Sequence, residues 1–135
     1  MNECVFCKII NREIPANIIY ENGKVLAFLD INPINRGHTL IVPKKHYGDV
    51  YDITEDHLRE TVAVAKKISE AVKRGLGAEG VNILHASGEA AQQSVFHFHI
   101  HLVPRYEDDG LNTWPKSDYK EEDFEKVAGE IRSEL

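Results

Sequence analysis

The sequence predicts an α+β domain, in which an antiparallel sheet packs against helix. Three observations support this class. Five or six short segments rich in β-branched and aromatic residues are separated by turn signals. Two of them flank Asn22-Gly23, the strongest two-residue hairpin signal. One long amphipathic pattern spans residues 55 to about 74, and a second helical pattern lies near the C-terminus. The 135 residues are enough for one such domain.

The first third of the chain predicts a short helix followed by three strands. Residues 4–11 form the helix, which must end before Pro15. Residues 18–21 and 25–29 form the hairpin strands. A third, β-branched strand at 39–42 stops at Pro43. These elements supply one side of the expected sheet.

The long helix has recognisable signals at both ends. Thr54 is a suitable N-cap, and Gly75 and Gly77 provide the stop. Its predicted apolar stripe comprises Leu58, Val62, Ala65, Ile68, Val72 and Leu76. A strand at 81–86, a small-residue loop at 87–93 and a closing helix at 121–134 complete the predicted order.

The net charge of −6 is concentrated in one part of the chain. Residues 107–135 carry ten acidic and four basic side chains, so residues 1–106 are neutral overall. We therefore expect a core domain at 1–106 and an acidic extension at 107–135, whose helix packs on the same domain. A neutral body does not fit a nonspecific binder of nucleic-acid polymers. The sequence shows no signal peptide and no apolar run long enough for a membrane span, which predicts a cytoplasmic protein.

Three histidines alternate with apolar residues between positions 94 and 104. His97, His99 and His101 have Phe98 and Ile100 between them, which predicts a half-buried strand with all three imidazoles on one face. Such a row is compatible with a polar sheet face, with a three-histidine metal site, or with covalent catalysis by one histidine that its neighbours assist. The spacing alone leaves these alternatives open.

Cys4 and Cys7 form a Cys-x-x-Cys pair. Alone this pair is half of a tetrahedral zinc site, and redox or free thiols are the alternative.

The row resembles the His-x-His-x-His-x-x signature, with x apolar, of the histidine triad (HIT) superfamily. The resemblance covers residues from about 4 to 106 and is closest to the Hint-like branch. Three further stretches carry it: Ala27-Phe28-Leu29-Asp30-Ile31-Asn32-Pro33, Gly37-His38-Thr39-Leu40-Ile41-Val42-Pro43-Lys44-Lys45-His46, and Gln93-Ser94-Val95. It implies the HIT fold, with a sheet that continues across a homodimer.

The resemblance also implies hydrolysis of nucleoside 5′-phosphoramidates, with a purine nucleotide as substrate. His99 would attack the α-phosphorus and form a nucleotidyl-histidine intermediate. The carbonyl of His97 would orient His99, while His101 and His38 would lie near the phosphate or leaving group. The implied substrate contacts are Gln93 and Ser94 to the phosphate, Asp30 to the ribose, and Phe28, Ile31 and Leu40 to the base.

Some members of the family hold a structural zinc ion, and this chain has all the matching positions. They are Cys4, Cys7, His46 and His97. The resemblance therefore implies one Zn²⁺ per chain and joins the cysteine pair to the histidine row.

One departure from the family pattern lies just before the triad. Related sequences carry Asn-x-Gly-x-Ala-Ala-Gly-Gln there, whereas this chain has Ala86 in place of the Asn and Gln92 in place of the last Gly. A hydrogen bond to a charged group contributes about 1.5–3 kcal/mol, so the loss of the Asn predicts slower catalysis or altered preference. Hydrolysis of dinucleoside polyphosphates and nucleotide binding with weak catalysis are the two alternative functions.

Overall fold

The computed structural model describes residues 3–135. It confirms the α+β class, with a five-stranded antiparallel sheet in the order β1-β2-β3-β5-β4. The strands are β1 (Ile18–Glu21), β2 (Val25–Leu29), β3 (Thr39–Pro43), β4 (Gly80–Leu84) and β5 (Ile100–Arg105). The helices are α1 (Val5–Ile10), α2 (Glu55–Leu76) and α3 (Phe124–Arg132).

Each face of the sheet packs against a different helix. Alternate residues of one strand point to opposite faces, so Val25 and Ala27 of β2 pack on the α2 side, whereas Leu26 and Phe28 pack on the α1 side. The two apolar clusters are therefore separated by the sheet. The sequence predicted helix on one face, and the short helix α1 covers part of the other.

Helix α2 begins after Thr54 as predicted, but it runs to Leu76, so Gly75 lies inside the helix and Gly77 alone provides the stop. The Thr54 hydroxyl accepts the first-turn N–H of His57, and Gly77 ends the helix in the left-handed region at φ 71°. The prediction for Val62 is wrong, since this side chain is 49% exposed. Thr61 and Val64 are buried instead, because they continue the three- and four-residue spacing of Ala65, Ile68 and Val72.

The hairpin of β1 and β2 has the strand bounds that the sequence predicts. The strands end at Glu21 and restart at Val25, and the N–H of Asn22 donates to the carbonyl of Val25 at 3.0 Å. The Asn22 side chain accepts the N–H groups of Lys24 and Val25, both at 2.9 Å. The turn is thus stabilised by the Asn22 side chain.

Helix α3 begins at the N-cap Asp123 and has no buried residue. Its apolar residues Phe124, Val127 and Ile131 are exposed. The expectation that this helix packs on the core domain stays a prediction. Within residues 3–135, no helix has both the length and the apolar composition of a membrane span.

Candidate active site and metal centre

The histidine row begins before the strand that carries its last member. β5 starts at Ile100, so His97 and His99 lie in the irregular segment that precedes it. The predicted strand over residues 94–104 is therefore too long at its start. The alternation survives, because Phe98 and Ile100 enter the α2-side core while His99 and His101 line a cavity on the α1 side.

His99 is buried and has one ring nitrogen occupied. Its Nδ1 lies 2.8 Å from the carbonyl oxygen of His97. A carbonyl only accepts, so Nδ1 carries the hydrogen and the Nε2 lone pair stays available in the neutral ring. Burial is the main reason that the pKa of His99 is lowered, against the opposing effect of the His97 carbonyl. The geometry thus holds a neutral imidazole with a free lone pair.

His38 and His101 form a directed pair beside it. The N–H of Ile34 donates to Nδ1 of His38 at 3.0 Å, so His38 carries its hydrogen on Nε2. That Nε2 lies 3.0 Å from Nδ1 of His101, which therefore accepts and keeps its own hydrogen on Nε2. Burial lowers the pKa of His38, and burial with the neighbouring His99 and His38 lowers the pKa of His101 to about 4. The pair is neutral at pH 7.

Gly37 allows the chain to reach this position. Its φ is +87°, and an added Cβ would lie 2.6 Å from Cδ1 of Leu76 and 3.1 Å from Cγ of Pro104. A side chain at this position would displace the start of β3, where His38 is anchored.

Asp30 lies close to the pair and has two roles in the structure. Its Oδ1 accepts the N–H of Asn32 at 2.8 Å, while Oδ2 lies 3.7 Å from Nε2 of His38. Asp30, His38 and His101 are near enough to one another to surround a metal ion. The hydrogen on Nε2 of His38 argues against that use, because a protonated nitrogen has no lone pair to offer.

A cavity of about 370 Å³ opens in front of His99 and His101. The predicted substrate residues Phe28, Asp30, Ile31, Leu40 and Ser94 all line it. Helix α1 and the segment after it supply the other wall with Val5, Phe6, Ile9, Ile14, Pro15 and Ala16. Sequence reasoning missed this wall, although the apolar residues of α1 were a visible signal. The ring of Phe6 meets that of His99 edge to face at 5.1 Å.

Gln93 lies outside the cavity lining and is 6% exposed. Its Oε1 accepts the N–H of Gly88 at 2.8 Å, and its Nε2 donates to the carbonyls of Gly48 and Val95 at 2.7 and 3.1 Å. The amide is thus used to order the loop before the triad, and a phosphate contact by this side chain would replace one of these bonds. Gln92, which stands where related sequences carry Gly, adopts the left-handed conformation at φ 67°.

The second cluster brings together Cys4, Cys7, His46 and His97, whose ligand atoms all lie within 4.8 Å of one another. The Sγ of Cys4 is 3.4 Å from Nδ1 of His97, and the Sγ of Cys7 is 3.4 and 3.6 Å from Nδ1 of His46 and His97. A tetrahedral zinc with Zn–S of about 2.3 Å and Zn–N of about 2.1 Å requires S···N separations of about 3.6 Å. The cluster has the spacing of a metal site.

The hydrogen bonding of His97 supports this use of its ring. Nε2 of His97 lies 2.8 Å from the carbonyl oxygen of Pro43, so Nε2 carries the hydrogen and Nδ1 has the lone pair. Burial lowers the pKa of His97 to about 4, which keeps the ring neutral. The four residues could hold a metal ion once the two thiols lose their protons, and His97 already presents the free Nδ1 that a metal requires.

An antiparallel α+β fold with three alternating histidines, two of which line an apolar cavity, defines a histidine triad protein. The model of the HIT domain family matches residues 11–108, and the chain belongs to this family. It is 48% identical over 129 residues to an uncharacterized HIT-like protein of Methanocaldococcus jannaschii, covering 96% of this chain and 98% of that one.

Two further relatives bear on the site. The chain is 40% identical over 134 residues to the adenosine 5′-monophosphoramidase HNT1 of Saccharomyces cerevisiae, covering 98% of this chain and 80% of that one. The crystal structure of a zinc-bound histidine triad family protein from Mycobacterium smegmatis superposes with a TM-score of 0.79 at 40% identity, covering 98% and 92% of the two chains.

Proposed function

We propose that this protein hydrolyses nucleoside 5′-phosphoramidates at the α-phosphorus through a nucleotidyl-His99 intermediate. The observation that carries the proposal is the bond from Nδ1 of His99 to the carbonyl of His97. It leaves the Nε2 lone pair of a neutral, buried imidazole at the cavity, which is the form of histidine that acts as a nucleophile. The yeast relative named as a phosphoramidase supports the choice of substrate class.

The reaction takes two steps on His99. In the first, Nε2 of His99 bonds to the α-phosphorus and the P–N bond to the leaving amine breaks, while the amine takes a proton from water. In the second, water attacks phosphorus, the bond to Nε2 breaks and a proton returns to the solvent, so that the nucleotide is released. The Nε2–H of His101, held by His38, is available to donate to a phosphate oxygen as its charge increases.

The cavity suits a purine nucleoside. Its apolar wall of Phe28, Leu40 and the α1 residues offers a surface for a base, and Ile31 is 82% exposed at the rim. Only Oδ1 of Asp30 accepts the N–H of Asn32, so Oδ2 is available to accept hydrogen bonds from ribose hydroxyls. Ser94 also lines the cavity, where its hydroxyl would contact the phosphate.

We further propose that the second cluster binds one structural Zn²⁺ per chain and that the protein is a homodimer. Bound zinc would join α1 to the segments after β3 and before β5 through Cys4, Cys7, His46 and His97. The dimer follows from family resemblance, and the exposed edge of β4 is consistent with it.

The test compares wild type with His99→Ala on adenosine 5′-monophosphoramidate and on diadenosine polyphosphates, with product nucleotide measured by chromatography. We expect AMP from the phosphoramidate, and a loss of at least about 1,000-fold in the variant because the nucleophile is removed. Faster turnover of the polyphosphates would favour the alternative hydrolase. If the protein binds nucleotide but releases no product from either substrate, it is a nucleotide-binding protein. The absence of a polar side chain at Ala86 would then explain the lack of catalysis.

A further inference from the structure

His85 lies at the point where β4 separates from β5. The paired register of these strands ends with Leu84 opposite His101. One residue further on, the side chain of His85 reaches across to the neighbouring segment, and its Nδ1 lies 2.8 Å from the carbonyl oxygen of His99. A side chain thus contacts the backbone of the triad just beyond the end of the ladder.

The partners of His85 fix which nitrogen carries the hydrogen. Since the carbonyl of His99 only accepts, Nδ1 is the donor and Nε2 is the acceptor. Nε2 lies 2.5 Å from the hydroxyl of Ser87, which can donate to it. The Ser87 oxygen in turn accepts the N–H of Val50 at 2.8 Å. Each donor in this series of hydrogen bonds, from Val50 through Ser87 and His85 to His99, therefore has an acceptor.

The ring is also held by stacking. It lies on the ring of Phe98 with centroids 4.3 Å apart and an interplanar angle of 27°. Phe98 is 1% exposed, and its N–H donates to the carbonyl of Tyr47 at 2.7 Å. His85 therefore packs on a buried side chain of the core, although His85 itself is exposed.

We propose that His85 is a positioning residue for the nucleophile, and this inference rests on the proposed function. The ring of His99 is oriented by the carbonyl of His97, while the backbone of His99 is held by His85. A displacement of about 1 Å in a reacting group can lower the rate about 100-fold. Ala86, the next residue, has no polar side chain. At the end of β4 it is therefore His85 that connects a side chain to the triad backbone by a hydrogen bond.

The experiment compares His85→Asn with His85→Leu. The Nδ2 amide of Asn occupies nearly the place of the imidazole Nδ1 and can donate to the same carbonyl, whereas Leu keeps bulk and loses the donor. We expect Leu to lower kcat about tenfold, with KM and the Kd for AMP changed less than about twofold, since the base cavity lies on the opposite face. Asn should recover most of the loss.

Ser87→Ala is the matched variant, because it removes the outer part of the chain and leaves the bond from Nδ1 to His99. It should lower kcat less than His85→Leu does. If Ser87→Ala lowered kcat as much as His85→Leu does, the effect would belong to the loop and the proposal would be overturned. Equal kcat for Asn and Leu, or a Leu variant changed only in melting temperature, would also overturn it.

A spectroscopic measurement separates this inference from the proposed function. With ¹³C-labelled carbonyl at histidine, the His99 signal should shift in His85→Leu and stay near the wild-type position in His85→Asn, because it reports the hydrogen bond directly. If wild type releases no nucleotide, the proposed function fails while this signal still decides on His85. An unchanged His99 signal in the Leu variant would overturn the contact itself.

Discussion

His97, His99 and His38 differ in which ring nitrogen is free because each ring has a different backbone partner. The carbonyl of Pro43 takes the Nε2–H of His97 and leaves Nδ1 to the metal cluster. The carbonyl of His97 takes the Nδ1–H of His99 and leaves Nε2 to the cavity. The N–H of Ile34 sets the opposite tautomer in His38. Residues of one type thus acquire distinct chemistry from single hydrogen bonds.

The hydrogen bonds of the Gln93 side chain predict that this residue stabilises the fold. Gln93→Glu keeps the shape but removes both donors, which places a carboxylate against the carbonyls of Gly48 and Val95. We expect the free energy of unfolding to fall by about 2–4 kcal/mol, because these buried acceptors lose their partners. Urea denaturation measures this change. Unaltered stability with a raised KM would instead identify Gln93 as a phosphate ligand only.

His101 predicts how stability depends on pH. Burial and the neighbouring His99 and His38 lower its pKa to about 4, whereas an unfolded histidine titrates near about 6.5. Between these values the unfolded chain binds more protons, so the free energy of unfolding decreases as the pH falls through this window. Denaturation at several pH values should show a shallower dependence for His101→Asn than for wild type. Identical slopes would contradict the lowered pKa.

Helix α1 shows how an element too short to be stable alone is held in place. Its six residues are stabilised by packing of Phe6 and Ile9 under the sheet, and by Cys4, whose Sγ caps the helix. The same helix supplies one wall of the cavity. We therefore expect occupation of the metal cluster to affect the shape of the proposed nucleotide cavity through α1.

This link predicts the effect of removing the thiols. Metal analysis should find one zinc per chain in wild type and none in Cys4→Ser/Cys7→Ser, and the amides of α1 should exchange faster with deuterium in the variant. The Kd for AMP should rise about tenfold, because the wall of the cavity is loosened. Metal-free wild-type protein with a protected α1 would refute the zinc assignment.

Elements with local signals could be predicted from the sequence. The caps of α2 and the strands of the hairpin lie where residues such as Thr54, Gly77 and Asn22 place them. The start of β5 could not be predicted, because it depends on distant partners. β3 pairs with β5 only as far as Ile41 opposite Ile100, so the alternating residues before Ile100 have no ladder to join.

The residues of the site likewise divide into those with local sequence signals and those that depend on distant partners. The spacing of the triad histidines and of the cysteine pair is local, and their joint cluster with His46 was expected from family resemblance. The internal bonds of Gln93 and the contact of His85 with His99 connect residues that are distant in the chain or lie beyond a loop. No spacing rule in a single sequence specifies such partners.

The sheet of this molecule has two free edges, β4 and β1, on which a second chain could pair. β4 forms one edge, and its Ile83, opposite the buried Leu102 of β5, is 51% exposed. β1 forms the other edge, where Ile18 and Ile19 are 37% and 45% exposed. A free edge with apolar side chains is a template for pairing. The acidic extension, which carries the net charge, begins after β5 and contributes no strand to the sheet.

We place the interface of the proposed homodimer at the β4 edge, because Ile83 is the most exposed apolar side chain of the two edge strands. Wild type should sediment with twice the 15.3 kDa mass of one chain, because pairing of β4 with its copy continues the sheet and covers Ile83. Ile83→Lys should shift the protein to the monomer mass, since the pairing would bury two uncompensated charges. Ile19→Lys on the opposite edge is the matched control and should remain dimeric. A monomeric wild type would contradict the dimer, and dissociation by the β1 variant alone would move the interface to the other edge.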